Sequence, residues 1–176
     1  INIHLKNARG IVIDGNSLAL STKRTILIEK SRHIVVGPQS IDHNPDYVQP
    51  VVDGIAIVDS DGCTLNGLLI EGAKAGSEKD GGAIEILNCR ETNVTACQIF
   101  EPMWRGVYVS GGRNVVVAEC TIVDRVGLPT FRAAVEVVGK SPGTVVRDNL
   151  AAEGTAGRIL ASPGTTVAGN NPAAKE

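Results

Sequence analysis

The chain has 176 residues, enough for one domain with a real core. Its 17 Lys and Arg against 19 Asp and Glu give a net charge of −2, a balance with none of the excess of basic residues that marks a nucleic-acid binder, so no nucleic-acid partner is expected. No apolar run approaches the ~20 residues of a membrane span, so no membrane partner is expected either, and 20 Gly with 3% aromatic residues suit many tight turns around a narrow aliphatic core.

Two frames alternate from one end to the other. The first is a pair of apolar residues separated by one: Ile3/Leu5, Ile26/Ile28, Ile55/Ile57, Ile84/Ile86, Val107/Val109, Val135/Val137 and Ile159/Ala161. Alternation over so short a run predicts a strand rather than a helix. The second, best seen in Asn93 to Phe100, is apolar, then Asn or Cys three residues on, then apolar. It occurs as Ile13, Asn16, Leu18, as Val36, Gln39, Ile41, and as Leu65, Leu68, Ile70. It recurs as Val94, Cys97, Ile99 and as Val117, Cys120, Ile122, and closes as Val146, Asn149, Ala151 and Val167, Asn170. Its first positions are 13, 36, 65, 94, 117, 146 and 167, so the steps are 23, 29, 29, 23, 29 and 21. A period of 20 to 50 residues predicts a solenoid. One such copy cannot close a core, but stacked copies cover one another's apolar edges.

The step from the end of the first frame to the next second frame is 8 in the first five copies (5 to 13, 28 to 36, 57 to 65, 86 to 94, 109 to 117), then 9 and 6. In the other direction the steps are 8, 14, 14, 8, 13 and 8. All three long insertions therefore fall at one corner of the coil, the edge where repeat proteins place their binding face. The first, residues 42–52, is broken by two Pro and one Asn and holds Asp42, His43, Asp46 and Tyr47. The second, residues 71–81, carries Gly72, Gly76 and Gly81 and ends on Glu78, Lys79 and Asp80. The coil without an insertion places Trp104, the single Trp, and Arg105 at the same corner. The third, residues 124–132, adds Asp124, Arg125, Phe131 and Arg132. Residues 141–144 and 162–165 are both SPGT, turns leading into strands.

The coil length, the apolar columns in register and the column Asn16, Gln39, Leu68, Cys97, Cys120, Asn149, Asn170 resemble a right-handed parallel β-helix of the pectate-lyase-like kind over nearly all of the chain. The Asn-bearing copies also resemble the repeats of carbohydrate-binding and sugar-hydrolase β-helices. The resemblance implies an all-β solenoid of about seven coils in a single domain spanning residues 1–176, a polysaccharide partner, and an extracellular or periplasmic setting. It leaves hydrolase, lyase and epimerase open. Leu68 and the two Cys interrupt the polar column, so a continuous Asn ladder is not expected.

With the apolar pairs pointing inward, the residue between them points outward. That column is His4, Leu27, Ala56, Glu85, Tyr108, Glu136 and Leu160. Glu85, Tyr108 and Glu136 are thus expected on three successive coils, exposed to solvent, with the two carboxylates roughly 9 to 10 Å apart. This lies near the upper end of the ~6.5–9.5 Å separation of inverting glycoside hydrolysis, so the three are the candidate catalytic residues. Asp80, Trp104, Arg105, Arg132 and His43 are candidate substrate-binding residues. An aromatic face suits the apolar face of a sugar, and Arg holds a carboxylate bidentately. Equally, Trp104 serves as a plug over its turn and the charges as an ordinary solvated face. Asp80, Glu85 and Asp124 form no compact oxygen-rich motif, so no metal or other cofactor is expected.

The four Cys make no CxxC pair. Cys97 and Cys120 share a column roughly 4.8 Å apart, a distance that admits a disulfide but equally suits two packed thiols, the expected state. The chain starts in frame, without initiator Met or signal peptide, which predicts a piece of a longer protein or a homo-oligomer built on its terminal coils. The contrasting reading of the whole is a non-catalytic assembly module, such as a segment of a phage or cell-surface fibre.

Overall fold

The computed structural model describes residues 1–42 and 50–174. Strands Ile3–Lys6, Ile26–Glu29, Ile55–Val58, Ile84–Leu87, Arg105–Ser110, Ala133–Val138 and Ile159–Ala161 form the first of three sheets. The second runs from Val12–Ile13 to Thr166–Ala168 and the third from Ser17–Leu18 to Asn171–Pro172. Each holds seven strands, every neighbour is parallel, and the order in each sheet follows the chain. No helix occurs among the described residues. The result is the β-helix that the two frames predict, coiled with the right hand that parallel crossovers adopt.

The register is the one the spacing implies. Ile84 pairs with Ile55 on one side and Val107 on the other, and Ile86 with Ile57 and Val109. All six are 0% exposed. In the other two sheets Val94 lies between Leu65 and Val117, and Ile99 between Ile70 and Ile122. One core, lined by Ile, Val and Leu, therefore runs along the axis. Branched side chains fill it because successive coils repeat the same small cross-section.

Single left-handed residues turn the chain between the second and third sheets: Gly67, Ala96, Glu119 and Asp148, with φ of 66, 52, 57 and 55°. That conformation costs an L-residue about 1–2 kcal/mol, and the next residue then faces inward. Asn149 in this position is fully buried. It donates from Nδ2 to Val117 O (3.1 Å) and Asn170 Oδ1 (2.8 Å), and its Oδ1 accepts from Cys120 N (2.9 Å). Asn16 donates to Gln39 Oε1 (3.0 Å) at the opposite end. Between these pieces Leu68, Cys97 and Cys120 interrupt the polar ladder, as their side chains imply, and are buried. All four cysteines are free thiols, so the column shared by Cys97 and Cys120 holds packed thiols. Burial pushes the Cys63 thiol up and that of Cys89 up to about 11. Both SPGT segments are turns, closed by Thr144 N to Ser141 O and Thr165 N to Ser162 O.

The three insertions all join the third sheet to the first. Most of the first lies outside the described residues. Its return is anchored by Asp53, fully buried, which accepts from Ser21 N and Thr25 Oγ1 at 2.9 Å each. The third sends Phe131 into the core. Arg125, from the same insertion, bonds Glu101 (2.7 Å) and Glu71 (3.0 Å) and covers the Phe100 ring at 4.9 Å.

Ile84→Ala is expected to lower unfolding free energy by about 2–5 kcal/mol, the cost of a large-to-small change in a packed core. Asn149→Ala takes the side-chain partner from two buried backbone groups, Cys120 N and Val117 O, at about 1–3 kcal/mol each, whereas Asn16→Ala, at an exposed position, costs no more than about 1.5 kcal/mol. Chemical denaturation of the three variants checks the order.

Candidate functional site

The outer face of the first sheet does not lie open at the middle coils. Glu85, Tyr108 and Glu136 pair in register, Glu85 with Tyr108 and Tyr108 with Glu136, and they point outward as expected. They are not solvent-exposed, however: their exposures are 6%, 7% and 7%. The expectation of a solvated column is corrected on this point. The cause is the corner beside it, which folds residues 76–82 and three arginines back over the sheet.

Arg105 organises this cover. The strand Arg105–Ser110 begins with Arg105 and Gly106, and a Cβ at Gly106 would collide with Ile122 Cγ2 inside the core. Glycine therefore lets the strand start close against the third sheet, with the Arg105 side chain beneath the second insertion. Arg105 is 1% exposed. Its Nε bonds the Glu136 carboxylate. Its two terminal nitrogens donate to Ser77 O (2.8 Å), Gly81 O (3.2 Å) and Glu78 O (3.0 Å). The guanidinium also stands 5.4 Å from the Tyr108 ring centre. Arg132 adds a bond from Nε to Glu136 at 3.2 Å. Two guanidinium groups thus hold Glu136, and the buried one also ties down the insertion. The loop is compact in itself: Ser77 N donates to Asp80 O (2.7 Å), and Ser77 Oγ to Asp80 Oδ1 (2.6 Å). At Gly81 (φ 76°) a side chain would run into the Glu85 carboxylate, so glycine is required there on both counts.

Glu85 is held from the other side. Arg24, at the corner of an earlier coil, makes an ion pair with it, and Gly82 N donates to it at 3.3 Å. Arg24 Nε is buried and has no acceptor among the described residues. Burial, and then the charge of Asp80, push the Tyr108 phenol up against the opposing pull of Ser110 and Arg105.

Two clefts flank the folded loop. One, about 310 Å³, is lined by Arg24, Asp80, Gly81, Glu85, Tyr108 and Ser110, with Leu87 at its side. The other, about 320 Å³, is lined by Glu78, Trp104, Pro129, Thr130, Arg132 and Thr155. The structure thus divides the sequence candidates. Asp80, Glu85 and Tyr108 come together in the first cleft. Trp104 and Arg132 come together in the second, where Trp104 is half-buried. Arg105 and Glu136 lie between the clefts and line neither. Asp124 faces a different cleft, with Arg125 and Glu153. His43, Asp46 and Tyr47 lie outside the described residues. Sequence reasoning missed Arg24 and Glu78. Arg24 had a signal: it stands two residues before an inward pair, as Arg105 does, so the two share a column of the coil.

The family model for the right-handed β-helix region matches residues 1–172. The chain belongs to that family. Among solved structures it is similar to a candidate glycosyl hydrolase from Parabacteroides merdae, at 12% identity and a TM-score of 0.59, over 83% of this chain and 74% of that one. At that identity the likeness is one of fold. No curated protein matches the sequence.

Glu136→Gln removes the charge that balances a guanidinium 1% exposed. Breaking a buried pair from one side costs about 3–5 kcal/mol, so the melting temperature should fall clearly. Glu85→Gln, whose partner Arg24 keeps a side-chain exposure of 20%, should cost less. Calorimetry on both variants tests this ranking; an unchanged midpoint for E136Q would show that the carboxylate is not tied to Arg105.

Proposed function

We propose that this protein binds an acidic polysaccharide at the loop-bearing corner, in the cleft formed by Trp104 and Arg132. The observation that carries the reading is the composition of that cleft. It combines one large aromatic ring, a guanidinium 40% exposed, a carboxylate and two threonines. A sugar ring lays its apolar face on an indole while its hydroxyls need polar partners at the rim. Arg132 uses Nε toward Glu136 and also lines the cleft, so its terminal donors suit a uronate carboxylate there. The fold shared with a candidate glycosyl hydrolase supports a saccharide ligand.

Binding is favoured over cleavage. Hydrolysis by two carboxylates requires both at one glycosidic bond, with room for a water or a covalent intermediate. Glu85 lines one cleft, whereas Glu136 lies under Arg105 and Arg132 between the two. The same observation favours the second reading, an assembly module in which these charges only pin the insertion.

Trp104 is the only Trp, so tryptophan emission, excited where tyrosine does not absorb, reports on this cleft. Titration with oligogalacturonate should give a saturable emission change and release no new reducing ends. By calorimetric titration, Trp104→Ala and Arg132→Ala should each weaken binding by about 1–3 kcal/mol, the range of a lost aromatic or charged contact. If neither oligogalacturonate nor a neutral oligosaccharide changes the emission, the assembly reading replaces this one.

A further inference from the structure

The corner between the first and second sheets, on the other edge of the first sheet, carries a column of charge that the overall balance hides. Consecutive parallel bridges join Arg9 to Arg32, Arg32 to Asp61, Asp61 to Arg90 and Arg90 to Arg113. Five successive coils thus place one charged residue at the same point, four of them arginines. The residue after each is left-handed: Gly10, His33, Gly62, Glu91 and Asn114 have φ of 68, 55, 60, 54 and 53°. The turn is the same each time, so the backbone sets the spacing at roughly 4.8 Å and the column at roughly 19 Å.

Like charges at this spacing repel, yet among the described residues only one of the four is hydrogen-bonded to a carboxylate. Arg90 bonds Asp61 through Nε (3.0 Å) and Nη2 (2.8 Å), which holds the Asp61 carboxyl below its usual range. Glu91 adds a second carboxylate nearby. The side chains of Arg9, Arg32 and Arg113 are exposed and make no hydrogen bond or ion pair among the described residues, although Asp61 also attracts Arg32 through its charge. A shallow groove of about 300 Å³, lined by Arg9, Arg32, His33, Asp61, Arg90 and Glu91, runs along the column.

We propose that this arginine column is a second binding surface, for a linear anionic polysaccharide lying along the helix axis. Guanidinium forks engage carboxylate or sulfate groups bidentately, and the repeated turn fixes the spacing of their backbones, so that only the side chains have to order on binding. A repeating polyanion matches a repeating cation; a single small anion would use one rung. No Trp, Tyr or Phe lines the groove, so the bases of a nucleic acid would find no stacking platform. The surface is on a different corner from the Trp104 cleft and does not depend on that cleft binding anything.

The test uses heparin oligosaccharide as the probe, in calorimetric titrations at low and high salt. The native protein should bind, with affinity falling as salt rises. The triple variant Arg9→Ser, Arg32→Ser, Arg113→Ser should lose at least about ten-fold in affinity and most of the salt dependence, since fewer counterions are released. Its melting temperature should change little, because none of the three side chains has a hydrogen bond or ion pair to lose and the attraction of Arg32 to Asp61 acts at an exposed, screened position. The triple Lys variant, keeping charge without the fork, should fall between the two. Trp104→Ala should bind heparin as the native protein does. Absence of binding, an unchanged affinity in the Ser variant, loss of binding in Trp104→Ala, or tighter binding of single-stranded DNA of equal charge would overturn the proposal.

Discussion

The structure depends on one constraint: each strand hydrogen-bonds to the strand one coil earlier and one coil later, at the fixed spacing of a parallel sheet. Any position in the coil therefore becomes a column. Ile26, Ile55, Ile84, Val107 and Val135 form one, the outward Glu85, Tyr108 and Glu136 another, and Arg9 to Arg113 a third. The core columns need only branched apolar residues. The others differ in how far the corners, where the chain leaves the sheets, permit insertions.

The corner between the second and third sheets permits least. It turns on one left-handed residue and buries the next, so an insertion would break the stack. The opposite corner, from the third sheet back to the first, ends one coil and has no partner to match closely. Its loops are held by side chains instead: Asp53 for the first, Arg105 for the second, Phe131 and Arg125 for the third. Arg105 is the most demanding of these. A buried guanidinium without Glu136 and three carbonyl oxygens would destabilise the fold, and the four contacts together fix where residues 77–81 lie. The shape of both clefts follows from this one side chain.

The columns were legible in the sequence because two periods coincide, the alternation of two within a strand and the coil repeat between strands. The outward direction of Glu85 and Glu136 followed from the same counting. Their burial did not, because it depends on which way an insertion folds. The decisive partners are remote in the chain: Arg24 is 61 residues from Glu85, and Arg105 is 31 from Glu136. Coil counting places Arg24 and Arg105 in one column, but it does not say that their side chains fold back onto Glu85 and Glu136. The arginine column shows the reverse failure. Its members stand at equivalent positions in successive coils, so counting would have found it, but a net charge of −2 averages it away.

Arginine does two opposite things in this molecule, and the difference lies in its unused hydrogen-bonding capacity. Arg105 directs its donors to Glu136 and to three carbonyl oxygens, out of water. A guanidinium that commits four of its five N–H donors inside the fold has little left for a ligand, and its conservative replacement by Lys would lose the planar fork that reaches all four acceptors. Arg9, Arg32 and Arg113 keep their donors in solvent, stacked against their own repulsion with one carboxylate in the row. Stability does not account for that arrangement, since each would be as well solvated and less repelled if staggered. A recurring cost that the fold does not offset internally is one that a polyanion would relieve on binding. The buried arginine therefore explains the shape of the loop-bearing edge, and the unrelieved repulsion of the exposed ones is the physical ground for the proposed polyanion surface on the other.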